Sequence, residues 1–178
     1  AKFKGNHGVK SFSCWEQFVC MCFAQLTMRE GLRDIEVCLR SMQSKLYQVG
    51  LTSTISRSTL ADANENRSSK IYQSFCKVLI REARDLYVND KFTEELDEVV
   101  YVLDSTYISL CLSLFPWGQI GKQQYAGIKV HTLLDLRGSI PSVISISKGA
   151  SPDNKMLDEI IIEPGAIYVM DKAYVDFK

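Results

Sequence analysis

The chain has 178 residues, is 46% hydrophobic and 24% charged, and carries a formal net charge of +0, a composition that permits a sizeable globular core. No apolar stretch approaches the ~20 residues that a membrane helix needs, and the basic, Gly-containing start from Ala1 to Lys10 has no apolar signal-peptide run. Zero net charge argues weakly against a nucleic-acid partner.

The first half reads as helical. Ser13 followed by Glu16 fits a capping box, in which hydroxyl and carboxylate satisfy the free N–H groups of a first turn. Trp15, Phe18, Cys22 and Leu26 then recur at helical spacing, widened by Val19 and Phe23, and are expected to form the inner face. After Gly31 a second helix is expected from Leu32 to about Ser44, with Ile35 and Leu39 inward and Gly50 as a stop. A short helix over Ser58–Asn64 and a longer one over Ser68–Tyr87 follow, the latter with Ile71, Phe75, Val78 and Leu79 on one side. Arg57, Ser58 and Thr59 open the short helix. Hydroxyls and a guanidinium at a helix N-terminus suit DNA phosphates; the alternative is an ordinary N-cap with solvated charge.

Residues 88–98 are polar and acidic, and the domain boundary is placed there, giving a helical domain over 1–90 and a second domain over 91–178. The charges divide likewise. Residues 1–90 hold 13 Lys/Arg against 9 Asp/Glu, net +4; residues 91–178 hold 8 against 12, net −4. The first half suits phosphate and the second suits cations.

Beyond the boundary the texture becomes β-prone. Val99–Leu103 is a continuous apolar run, expected to be a strand buried on both faces and ending at Asp104. Ile108, Leu110, Leu112 and Leu114 alternate with polar residues as a separate half-buried strand, broken at Phe115-Pro116-Trp117-Gly118, where Trp117 reads as a packing anchor. From Gly127 to Leu136, Lys129, His131, Leu133 and Asp135 share one face, and Arg137-Gly138-Ser139 turns the chain into Ile140–Ser147. Ser151-Pro152-Asp153 is expected to start a helix whose inner face is Met156, Leu157, Ile160 and Ile161. Ala166–Met170 is a second apolar strand, again ending in an aspartate, Asp171.

Six cysteines occur without a C-x-x-C pair, and His7 and His131 lack finger-like spacing, so buried free thiols are expected rather than a zinc site. The chemistry lies with the two aspartates. A crossover between parallel strands would bring Asp104 and Asp171 side by side. Two such carboxylates repel unless a cation bridges them, and Mg²⁺ suits hard oxygen donors. The alternative is two aspartates that end strands because they favour turns.

The phrases LDSTYISLCLSLFPW, KVHTLLDLRGSIPSVISIS and EPGAIYVMDKAYVDF closely resemble the DDE transposases of bacterial insertion sequences, in the IS-four family. FSCWEQFVCMCFAQLTMREGLRDIEVCLRS and VGLTSTISRSTLADANENR resemble the helical domain that precedes the catalytic core in one branch of that family. The resemblance implies an α+β or α/β fold: a helical DNA-binding domain, then the first part of an RNase H-like mixed sheet. Asp104 and Asp171 would be the first two catalytic aspartates. They would hold Mg²⁺, with Mn²⁺ able to substitute, for cut-and-paste cleavage and strand transfer of DNA. Transposon ends and target DNA would be the partners, with a homodimer in a synaptic complex, in the bacterial cytoplasm at the nucleoid.

Arg57, Ser58, Thr59, Lys129, His131 and Lys172 are the candidate DNA contacts. Relatives commonly read Asp-Arg-Gly-Tyr at the second aspartate; here the residues are Asp171-Lys172-Ala173-Tyr174. The chain opens without Met and is expected to be cut from something longer. The third acidic residue, a Glu, is expected downstream of Lys178. A non-catalytic DNA-binding remnant is the alternative reading. Residues 1–178 alone are accordingly expected not to nick plasmid in Mg²⁺ above an Asp104→Ala control. Cleavage above that control would show that the two aspartates suffice.

Overall fold

A computed structural model of the chain describes residues 2–51, 53–87, 98–120 and 125–175. The chain divides into two compact units, Ala1–Lys77 and Val78–Lys178. The acidic segment read as a boundary, up to residue 97, lies outside the described residues.

The first unit contains α1 (Cys14–Leu26), α2 (Leu32–Ser41), α3 (Gln43–Leu46), α4 (Arg57–Asn66) and the start of α5 (Lys70–Tyr87). The capping box forms as expected: Ser13 N donates to Glu16 Oε2 (2.6 Å), and Glu16 N donates to Ser13 Oγ (3.2 Å). Gly50 closes the α3 segment with φ 80°, a left-handed conformation that costs glycine nothing. The inner face of α1 differs from the expected stripe. Glu16, Gln17, Cys20 and Ala24 are buried, whereas Trp15 is 54% and Leu26 85% exposed.

Long-range hydrogen bonds explain that rotation. Gln17 Nε2 donates to Asn64 Oδ1 (2.6 Å), and its Oε1 accepts from Arg67 (2.9 Å) and Tyr72 (2.6 Å). Arg67 also donates to the carbonyls of Phe12 and Ser13. A buried amide costs little once its partners are supplied. Phe12, Cys20, Ile35, Leu39, Leu51 and Leu60 are prominent in the surrounding core. On α5, Phe75, Val78 and Leu79 remain partly exposed, so the expected apolar side is only half covered. Of the six free cysteines only Cys20 is buried, its thiol pushed up to about 12, chiefly by burial; Cys111 is exposed.

The second unit is built on β1 (Val100–Leu110), β2 (Ala126–Asp135), β3 (Ile140–Lys148) and β4 (Ile167–Met170), in the order β3-β2-β1-β4. Neighbours pair antiparallel except β1 and β4, which are parallel. A helical region followed by this mixed four-stranded sheet is the start of an RNase H-like α+β core. The β2–β3 hairpin turns at Arg137–Ser139 as expected. Pro141 sits at a register shift on edge strand β3, where its missing N–H is tolerated.

Several expectations are corrected. The segments read as two strands around Asp104 are one, because β2 pairs with β1 continuously from Tyr101 to Leu110. β4 is an edge strand, with Ile167 and Val169 exposed. The expected helix after Pro152 is a 3-10 segment, Asp153–Glu159, without a side-chain cap. Asp153 is tied to Lys129 and Met156 is buried, and these positions lie one 3-10 turn apart. Ile161, expected inside, is 94% exposed. Trp117 is also largely exposed, edge-on to Phe115.

One face of the sheet packs Tyr101, Leu103 and Leu133 against Met156, Ile160 and Tyr174. At one end of β2, buried Asp135 accepts from Arg137 Nε (3.1 Å) and Nη2 (3.0 Å) and from Arg84 of α5 (3.3 Å). Asp135→Ala strands both guanidinium groups. It is expected to lower stability by about 2 kcal/mol, less than for a fully buried pair because the arginines reach solvent. Ile161→Ser should change stability by no more than about 0.5 kcal/mol. Urea unfolding of both variants checks the contrast.

Candidate active site

The β1–β4 ladder pairs Val100 with Ile167, Tyr101 with Tyr168, Val102 with Val169 and Leu103 with Met170. The next residues on the two strands are Asp104 and Asp171. The parallel register therefore brings the two aspartates side by side at the end of the shared ladder, and both are exposed. Antiparallel pairing with β2 continues past Asp104, opposite Thr132, so the first aspartate stands on a rigid strand rather than in a turn. Asp104 Oδ1 accepts from Ser105 N (2.8 Å). Asp171 caps the short turn Lys172–Tyr174, its Oδ1 accepting from Ala173 N (2.8 Å).

Behind this pair lies a buried polar cluster. Tyr174 is 1% exposed, and its hydroxyl is 3.1 Å from His131 Nδ1. Burial holds the Tyr174 phenol above its usual range; a hydrogen bond with Ser105 opposes that, and the charges of Asp153, Asp104 and Asp171 add to it. His131 is 2% exposed, with Nε2 2.9 Å from Ser147 Oγ. Lys129 Nζ contacts Asp153 Oδ1 (2.9 Å) and donates to the Ser151 carbonyl (3.1 Å), and Asp153 Oδ1 lies 4.0 Å from His131 Nδ1.

Lys129 and His131 thus gather on the sheet face that carries Tyr174, with their polar atoms engaged by protein. Asp153, expected from sequence only at the start of a helix, is part of this cluster. Lys172 is exposed beside Asp171. Arg57, Ser58 and Thr59 lie in the first turn of α4, in the other unit. Ser56, not Ser58, caps that helix, and its Oγ is 3.0 Å from Ser58 Oγ and 2.9 Å from Thr59 Oγ1. Tyr174 and Ser105 gave no periodic signal of their own. The register Ser105↔His131, opposite a tyrosine three residues after Asp171, is what joins them.

Residues 95–177 match the family model described as a transposase DDE domain. That stretch of the chain is similar to a transposase DDE domain. Residues 1–52 match a domain of unknown function, DUF4372. No curated protein and no solved structure matches the chain.

Two adjacent carboxylates supply hard oxygen donors, which fit a divalent cation such as Mg²⁺. Among the described residues no group of three or more His, Cys, Asp or Glu side chains could hold a metal ion. The departure at Ala173 has a local explanation. Its φ is not positive, so the turn after Asp171 does not require glycine. Ala173→Gly is therefore expected to lower stability by about 0.5–1 kcal/mol through unfolded-state entropy. A rise in melting temperature on this substitution would contradict the assigned turn.

Proposed function

We propose that Asp104 and Asp171 are the first two metal-binding carboxylates of a centre for DNA strand cleavage and strand transfer in cut-and-paste transposition, in an enzyme of the IS-four family. The observation that carries this reading is the parallel register, which ends one residue short of both aspartates. Mg²⁺ is the expected ion, with Mn²⁺ as a substitute; when bound, it would activate the attacking oxygen and stabilise the leaving one.

The chain's own residues have separable tasks. Asp104 and Asp171 bind the ion, and Ser105 N and Ala173 N fix their orientation. Lys172 is exposed beside Asp171 and serves as a phosphate contact, though without the bidentate fork of the Arg in relatives. Lys129 and His131 act through the protein, because Asp153, Ser151, Tyr174 and Ser147 hold their polar atoms. Residues 1–90 form the DNA-binding domain, with Arg57 and Ser58 exposed at the start of α4 and Thr59 half-buried behind them. The partners are transposon ends and target DNA, joined by two copies of the chain in a synaptic complex.

The non-catalytic alternative draws on the two-carboxylate donor set. It predicts salt-dependent DNA binding that survives loss of both aspartates. Calorimetric titration with Mn²⁺ separates the readings. Asp104→Asn and Asp171→Asn should each weaken Mn²⁺ binding at least about tenfold, since each removes one of two charged ligands. Unchanged affinity in both variants would remove the metal assignment.

A further inference from the structure

The backbone ladder between β1 and β4 stops at Leu103↔Met170, so it does not itself fix Asp104 against Asp171. Beyond that point the two chains continue differently. β1 runs on along β2, while the chain after Asp171 winds into the turn Lys172–Tyr174 and buries Tyr174. The Tyr174 hydroxyl approaches His131 Nδ1 at 3.1 Å. His131 is the direct cross-strand partner of Ser105, one step along the ladder from Asp104↔Thr132. A single phenol oxygen thus ties the turn that Asp171 caps to β2, at the position paired with the residue after Asp104.

An apolar ring would fill the same space in this core. A buried hydroxyl costs free energy unless it is bonded, and here its partner, His131, is itself a buried polar group. His131 is held at its second nitrogen by Ser147, so the clasp rests on a fixed ring rather than a rotating one.

Resting on the metal-site reading above, we propose that Tyr174 is a positioning residue for the Asp104–Asp171 pair, acting through its hydroxyl on His131. It touches neither DNA nor the ion. It holds two like-charged carboxylates at a fixed separation where the backbone ladder has ended. Groups in this position around a metal ligand set tune affinity without ligating.

The test is Mn²⁺ affinity of the full chain by calorimetry, with thermal unfolding recorded on the same samples. Tyr174→Phe should weaken Mn²⁺ binding by on the order of tenfold while unfolding stays cooperative, and His131→Leu, which removes the partner of the hydroxyl, should weaken it in the same direction. Leu133→Val, in the same core cluster, should lower the melting temperature and leave Mn²⁺ affinity unchanged. The proposal is overturned if folded Tyr174→Phe binds Mn²⁺ like the parent. It is equally overturned if Leu133→Val weakens binding as much, since general softening would then explain the effect. Should Tyr174→Phe not fold, His131→Leu decides, and unchanged affinity there overturns the clasp. Asp104→Asn and Asp171→Asn separate the two layers. If they abolish binding and the clasp variants do not, the clasp alone fails; if they have no effect, the metal site and the clasp fail together.

Discussion

The parallel ladder between Val100–Leu103 and Ile167–Met170 constrains everything else in the second unit. Parallel neighbours need a crossover rather than a tight turn, so the chain between them must leave the sheet and return. Here the return passes through the β2–β3 hairpin and the 3-10 segment Asp153–Glu159, which lays Met156 and Ile160 on one sheet face. The same ladder decides the chemistry. A slip of one residue would turn the side chains of β4 to the opposite face and carry Asp171 away from Asp104.

Each unit is secured by a buried polar contact as well as by apolar packing. In the first, Gln17 meets Asn64, Arg67 and Tyr72, joining α1 to α4 and α5. In the second, Asp135 meets Arg84 and Arg137, while the Tyr101 hydroxyl donates to Glu163 Oε2 at 2.7 Å. Fully partnered groups of this kind define one arrangement, because removing any member leaves the others desolvated without compensation. The opposite sheet face is different in kind. Ile144, Ile146, Ile167 and Val169 stand exposed there, and Asp104 shares that side by strand alternation.

What the sequence made legible was local. The capping box, the Gly50 stop, the hairpin at Arg137–Ser139 and the two apolar runs ending in aspartate all depend on neighbours a few residues away. The transposase phrases added the chemistry. What stayed hidden depends on distant partners. The buried side of α1 is fixed by Asn64, 47 residues from Gln17, which hydrophobic periodicity cannot register. Likewise β1 runs through Asp104 because β2 supplies a continuous ladder, and Asp153 turns inward because Lys129 waits there. Tyr174 read as one letter of a motif; its burial and its link to His131 needed the fold.

The central claim is that one register delivers Asp104 and Asp171 to a single ion. Paramagnetic broadening tests it most directly: an isotopically labelled chain is titrated with substoichiometric Mn²⁺, and the backbone amide signals of β1 and of the turn after β4 are followed. The account predicts that Ser105 and Lys172 broaden together, at the same Mn²⁺ concentration, and that both effects vanish in Asp104→Asn. Broadening confined to one of the two segments, or scattered over surface acids elsewhere, would contradict it.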